Sequence, residues 1–261
     1  MAKIGFFIQS SKQELFVNNT NVLKEYYHNV IDENHYDIDL YSFTGKLDIN
    51  QTYEEGDTIY CKCYDRLPNK KYSELFKYIK ENKKYDYILI TNNTTLTNLY
   101  YLWNAIDSLD KSFYYCTLEI HNFMNYPNGN VKLMHWDLFL KIAELYDSAY
   151  QSMVSIYDFM WDSSKIASIF DNYAMWIGAP EDMIIGACLF KCRTPYFVIN
   201  EYCTIHPYLN APVVNNIDWE HTLFITFKIT GYYEDRLKYE TEELKNLIEK
   251  INQCAYETSE H

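Results

Sequence analysis

Four short stretches of the chain gather the residue types from which a binding or catalytic site is built. Gln9, Ser10, Ser11 and Lys12 follow an apolar run and offer donors where many α/β proteins hold a nucleotide, although an ordinary polar loop has the same composition. Asp65, Arg66, Lys70 and Lys71 place one acid and three bases in a loop leading into a helical pattern, which suits a phosphate and equally a solvated turn. Thr91, Asn92, Asn93, Thr94 and Thr95 are uncharged hydrogen-bonding residues directly after the most hydrophobic strand-like run; a capped turn into a helix explains them equally well. Pro180, Glu181 and Asp182 open the apolar stretch MIIG, where the helix dipole and orphan amides favour acids. A carboxylate kept ionised there suits a proton acceptor and also describes a plain helix cap.

The elements that must position these groups are read from periodicity. Residues 3–9 (KIGFFIQ) form a buried strand pattern, and 18–31 carry Val22, Leu23, Tyr26 and Val30 at helical spacing. Strand alternation covers 36–43 and 57–63, a helix is expected over about 71–82, and 85–91 (YDYILIT) is a further strand. That order, βαββαβ in the first hundred residues, points to a mostly parallel sheet covered by helices, with ligands at the carboxyl ends of its strands. Farther on, helical spacing covers 136–146, 163–170 and 181–190, and strand-like runs cover 196–202 and 223–230. Residues 234–254 read as an amphipathic helix with Leu237, Leu244, Leu247, Ile248 and Ile251 on one face. Without a Gly-, Pro- or Ser-rich linker or an internal repeat, residues 1–261 are expected to form one domain.

Composition excludes several classes. Lys and Arg total 23 against 36 Asp and Glu, a formal charge of -13, so no basic face large enough for a nucleic acid is expected. Hydrophobic residues at 48%, including 27 Tyr, give enough apolar surface to offset the entropy of folding. No apolar run is long enough to span a bilayer, and the polar start lacks a signal-peptide pattern, so a cytoplasmic location is expected. Seven cysteines without a C-x-x-C pair favour reduced thiols over disulfides or zinc. The five Trp and the Tyr100-Tyr101 and Tyr114-Tyr115 pairs offer sugar-stacking faces, with Trp136 or Trp176 as acceptor-groove candidates, but a core role accounts for most of them.

Residues 62–93 (KCYDRLPNKKYSELFKYIKENKKYDYILITNN) resemble a stretch of GT-A-fold glycosyltransferases, particularly those of large DNA viruses and some bacteria. Asp65 falls at that group's acidic loop position, Lys71 at its helix-opening lysine, and Asn93 on the Asn of its RTN element. PEDMIIG resembles the acidic motif before the last core helix of the same family. The resemblance implies a nucleotide-sugar-binding half at 1–100 and an acceptor-binding and catalytic half at 101–261, with the acceptor over 124–158 and the nucleotide at the ends of the first four strands.

On this resemblance Asp182 is the base of inverting transfer, with Glu181 as the neighbour able to exchange roles with it. The donor would meet Gln9, Ser10, Asp65, Lys71, Asn92 and Asn93, with Lys228 and Arg236 at matching basic positions. His206, or else His221, matches the histidine that often completes the metal or phosphate site. Two departures stand out. The family's Asp-x-Asp is replaced by Thr91-Asn92-Asn93-Thr94, and neutral amides are poor ligands for Mg²⁺ or Mn²⁺. The small glycine turn before the acidic motif is best matched by Ser152-Met153-Val154-Ser155. The expectation is a hexosyl- or pentosyltransferase, acting from a nucleotide-diphosphate sugar on a glycan, with weak metal dependence. The competing readings are a catalytically inactive carbohydrate- or nucleotide-binding relative and a nucleotide-binding regulator without sugar chemistry. Absence of a Gly-rich phosphate loop weakens the regulator.

Overall fold

The computed structural model describes residues 2–121, 125–160, 181–199, 202–203, 222–226 and 233–259. The helix expected at 163–170 lies outside them, as do His206, His221, Lys228, Trp161, Trp176 and Trp219.

β1 (Ile4–Gln9) is the centre of the first half. It lies parallel to β2 (Ile38–Gly45) on one side and to β5 (Tyr87–Asn92) on the other, with Ile4 opposite both Ile38 and Tyr87. A strand covered on both faces needs apolar residues at successive positions, which is why IGFFI does not alternate. β4 (Thr58–Cys61) extends the parallel set from β2, and β3 (Tyr53–Glu55) closes the edge antiparallel to β4. Glu55 faces Thr58 across a two-residue turn, and Gly56 supplies the left-handed φ of 59° that the turn requires. β3 escaped the sequence reading because three half-exposed residues carry no usable periodicity.

Beyond β5 the direction changes. β8 (Asn125–His135) pairs antiparallel with β5, β7 (Tyr114–His121) antiparallel with β8, and β9 (Tyr196–Val198) parallel with β7. The eight strands run β3-β4-β2-β1-β5-β8-β7-β9, with four of their seven pairings parallel. This is the mostly parallel central α/β sheet that the sequence led us to expect. A smaller sheet joins β10 (Tyr202–Cys203), β11 (Phe224–Thr226) and β6 (Thr95–Thr97). The strand-like run at 196–202 is thus divided between the two sheets.

Helices cover both faces. α1 (Glu14–Asn34) and the last helix share one core with Phe6, Ile8, Leu89 and Leu133. That core also takes α3 (Leu99–Ala105). The opposite core sets Phe7, Ile88, Ile90 and Met134 against α2 (Pro68–Asn82), α4 (Trp136–Met160) and α5 (Glu181–Cys192). The last helix, α6 (Tyr233–Ser259), turns Leu244, Leu247 and Ile251 inward, as the spacing predicts, and packs on α1. Among the described residues no helix is long and apolar enough to cross a membrane.

Two local expectations are corrected. Ser152 to Ser155, matched to a glycine turn, lie inside α4, whose helical pattern continues unbroken past residue 146. The cap of the helix after β5 is not in the Thr91–Thr95 run: the chain first forms β6, and Asn98 then accepts the Tyr101 N–H at 3.1 Å. Trp136 is a core-edge residue, stacked on Phe139 with ring centroids 5.1 Å apart.

Candidate functional site

At the carboxyl ends of β1 and β2 the structure brings together Gln9, Ser10, Asp65 and Lys71. Asp65 is the knot. Its Oδ1 accepts the Thr44 hydroxyl at 2.8 Å and the Gly45 N–H at 2.9 Å, and its Oδ2 accepts the Lys12 N–H at 2.8 Å. Lys71, with a side chain only 3% exposed, donates to the Ser10 carbonyl at 2.8 Å and approaches Asp65 Oδ1 at 3.3 Å. Burial opposes ionisation of Asp65, but the Lys71 cation and these donors outweigh it and hold the carboxyl below its usual range. The acid and the lysine therefore fix the turn after β1 against the end of β2.

Gly45 is required at this joint. A Cβ there would lie 2.4 Å from Asp65 Cα and 2.6 Å from its backbone N, atoms that cannot rotate away. Gly45→Ala is expected to cost about 1–3 kcal/mol, the range for forced overpacking. A chemical-denaturation midpoint equal to wild type would show that the joint yields freely.

The second group centres on Lys132, which sequence reading missed. Lys132 is opposite Ile90 of β5 and Cys116 of β7, so strand alternation turns it into the α2/α4/α5 core beside Met134. It is 1% exposed, and its Nζ lies 2.9 Å from Asp182 Oδ1 and 5.1 Å from the Tyr72 ring centroid. Burial would strip its proton, but Asp182, Tyr72, Glu181 and Tyr114 together hold it protonated well above the ordinary lysine range. Asp182, whose side chain is 14% exposed, stands in the first turn of α5. Burial pushes its carboxyl up to about 7, against the downward pull of Lys132 and with a further rise from Glu181. The available signal was a lone Lys at an apolar-phase position in NVKLMH.

Tyr72 joins the two groups. It follows Lys71 in α2, its hydroxyl donates to Gln9 Oε1 at 3.2 Å, and its ring lies beneath Lys132. A polar seam thus runs from Ser10 through Gln9 and Tyr72 to Lys132 and Asp182, in a layer that is otherwise aromatic and aliphatic.

The remaining candidates lie apart from that seam or are engaged elsewhere. Asn93 donates to the Phe16 carbonyl at 3.0 Å and so ties the end of β5 to α1. Asn92 donates to Asn130 Oδ1 at 2.7 Å, while its own Oδ1 is buried without a partner among the described residues. Arg236 makes a two-point contact with Glu240, at 2.8 and 3.1 Å, and Glu240 in turn accepts from Asn19 of α1 at 2.9 Å. That places Arg236 in the α1/α6 packing. Glu181 is half-exposed beside Asp182.

A divalent cation fits these residues poorly. Asn92 and Asn93 are neutral, the Asn93 amide is committed to α1, and no three His, Cys, Asp or Glu side chains among the described residues converge as a metal-binding group.

No protein-family model matches the chain, and no curated protein matches it. Solved structures do resemble it. A glycosyltransferase involved in glycosylation of the major capsid of PBCV-1 is 14% identical at a TM-score of 0.49, covering 91% of this chain and 98% of that one. The galactosyltransferase LgtC, solved with donor and acceptor sugar analogs, is 10% identical at a TM-score of 0.48, covering 94% and 95%. The apo-form glycosyltransferase GlyE of Streptococcus pneumoniae TIGR4 is 11% identical at 0.37, covering 76% of this chain and 45% of that one. All three are glycosyltransferases.

Proposed function

We propose that this chain is a glycosyltransferase that moves a sugar from a nucleotide-diphosphate donor to a carbohydrate hydroxyl with inversion. The observation that supports this most is the polar seam: the Ser10–Asp65–Lys71 joint and the Lys132–Asp182 pair are linked through one side chain, Tyr72. Residues 1–261 act as one domain, with the nucleotide over the ends of β1, β2 and β5 and the acceptor on the side of 124–158. The acceptor oxygen attacks the anomeric carbon, the bond from that carbon to the diphosphate oxygen breaks, and the hydroxyl proton passes to Asp182. Lys71 shapes the turn carrying the Ser10 to Lys12 backbone and brings positive charge beneath it, favouring the departing diphosphate. Glu181 serves beside Asp182, and Lys228 and His206 are assigned to the donor phosphates by resemblance alone.

No step is routed through a metal. Transfer is expected to persist in EDTA, and release of nucleoside diphosphate from a panel of nucleotide sugars, with and without Mn²⁺, measures it. Complete loss in EDTA with recovery in Mn²⁺ would contradict this expectation. Lys71→Ala is expected to weaken donor binding by about 1–3 kcal/mol, because the turn at Ser10 to Lys12 loses the charged hydrogen bond that holds it, and to lower stability as well, because Asp65 loses its buried cation. An unchanged calorimetric affinity would remove Lys71 from the donor site.

A second reading is favoured by one observation. The Asp182 carboxylate is already engaged by Lys132 at 2.9 Å, as it would be in a glycosyltransferase-like protein that binds a nucleotide or glycan without turning it over. Nucleotide-sugar binding without diphosphate release from any donor in the panel would establish that reading in place of the enzyme.

A further inference from the structure

At the opposite end of the sheet, where β5 and β7 begin and β8 ends, the structure holds a cleft of about 450 Å³. That volume falls in the range of small-ligand sites. Its walls come from the first turn of α4 (Asp137, Leu138, Lys141), the exit of α5 (Cys192, Arg193, Thr194), and Lys111 with His135. Three permanent cations thus meet one carboxylate, Asp137, in a chain whose net charge is -13.

The cations differ from those surface lysines that are neutralised within the fold. Lys3, Lys24, Lys77, Lys80 and Lys83 each rest on a carboxylate. The Lys111, Lys141 and Arg193 side chains, like those of Lys12, Lys84 and Lys191, have no hydrogen-bond or ion-pair partner among the described residues; what sets the three apart is that they line one cleft. Asp137 makes no ion pair with any of them; its carboxylate lies 3.6 Å from His135 Nδ1.

Arg193 sits at a defined turn. It follows the last residue of α5, where its N–H returns to the Phe190 carbonyl at 3.1 Å and the Thr194 N–H to the Leu189 carbonyl at 3.0 Å. Its φ of 52° is left-handed, a geometry that helix ends normally give to Gly. A long cationic side chain stands where a glycine would be less strained, and Arg193 lines the cleft.

We propose that this cleft binds a small molecule carrying a phosphate or pyrophosphate group, distinct from the donor at the other end of the sheet. The cations supply charge-assisted hydrogen bonds to the phosphate, and the remaining volume takes the body of the molecule. This site does not depend on the glycosyltransferase reading.

Calorimetric titration of the full chain with inorganic pyrophosphate, glucose 6-phosphate and glucose tests it. The two phosphate-bearing probes should bind, more weakly as NaCl is raised, and glucose should not. Arg193→Gly/Lys141→Ala should weaken them at least tenfold, while Arg193→Gly alone should melt no lower than wild type, because glycine suits the left-handed position. Hydrogen exchange with pyrophosphate bound should slow at 136–141 and 190–195. Failure of both phosphate probes to bind, full affinity in the double variant, or protection confined to 10–12 and 65–71 would each overturn the proposal.

Discussion

Asp182→Asn should lower transfer by about 10² to 10⁴-fold, the usual contribution of a general base, while donor affinity changes little. The amide keeps the shape and a hydrogen-bond acceptor for Lys132, but it cannot take up the acceptor's proton. The pH profile sharpens the expectation. Burial places the Asp182 carboxyl at about 7 against the pull of Lys132, and only its ionised form accepts a proton, so kcat/KM of the wild type should rise through about pH 7 and level off above it. A variant with wild-type single-turnover rates would exclude Asp182 as the base, and the inverting assignment with it.

The second large effect is on stability. Lys132→Met fills nearly the same volume but leaves the Asp182 carboxylate facing a core of Tyr72, Tyr114 and Met134 without its cation. Breaking one side of a buried ion pair costs about 3–5 kcal/mol, whereas removing both charges is often nearly neutral. Lys132→Met should therefore melt far below wild type near neutral pH, and Lys132→Met/Asp182→Asn should recover most of the loss. Equal melting of Lys132→Met and wild type would mean that the pair contributes nothing to folding.

These two variants separate a base from a brace. Asp182→Asn also leaves the buried Lys132 cation without its anion, so it should cost stability in either case. Only the chemical step separates the roles, a brace leaving the single-turnover rate of the folded variant unchanged and a base lowering it.

What the sequence disclosed follows from which interactions are periodic. β1, β2, α1, α2, β5 and α6 were legible because each buries a face at a regular spacing, whereas Ser10, Asp65 and Lys71 stood out singly as polar groups at element ends and were joined only by the resemblance. β7 and β8 were not, although they pair as a hairpin with partners 4 to 20 positions apart, because the stretch has little alternation to read. Lys132 was hidden with them: a charge inside an apolar strand can be understood only when the acid that faces it, 50 positions later, is known. Arg236 and Asn93 illustrate the converse. Their residue types fit a ligand, but tertiary neighbours at Glu240 and Phe16 had already claimed their donors.

The clasp between the first and last helices bears on the order in which the chain can fold. Asn19 and Glu240 are separated by 221 positions, and Leu23 shares its core with Leu244 and Leu247. During synthesis Asn19 of α1 gains its Glu240 partner, and Leu23 its neighbours Leu244 and Leu247, only once residues 233–259 exist. Contacts of such long sequence separation slow the search for the native state, because loop closure must precede any gain from packing. The parallel strands β1, β2 and β5 can assemble from the first hundred residues. Tyr27 already meets Phe6 of β1 at 4.9 Å between ring centroids, so what closes late is the outer seam of α1 around Asn19, the part of the nascent protein left open longest.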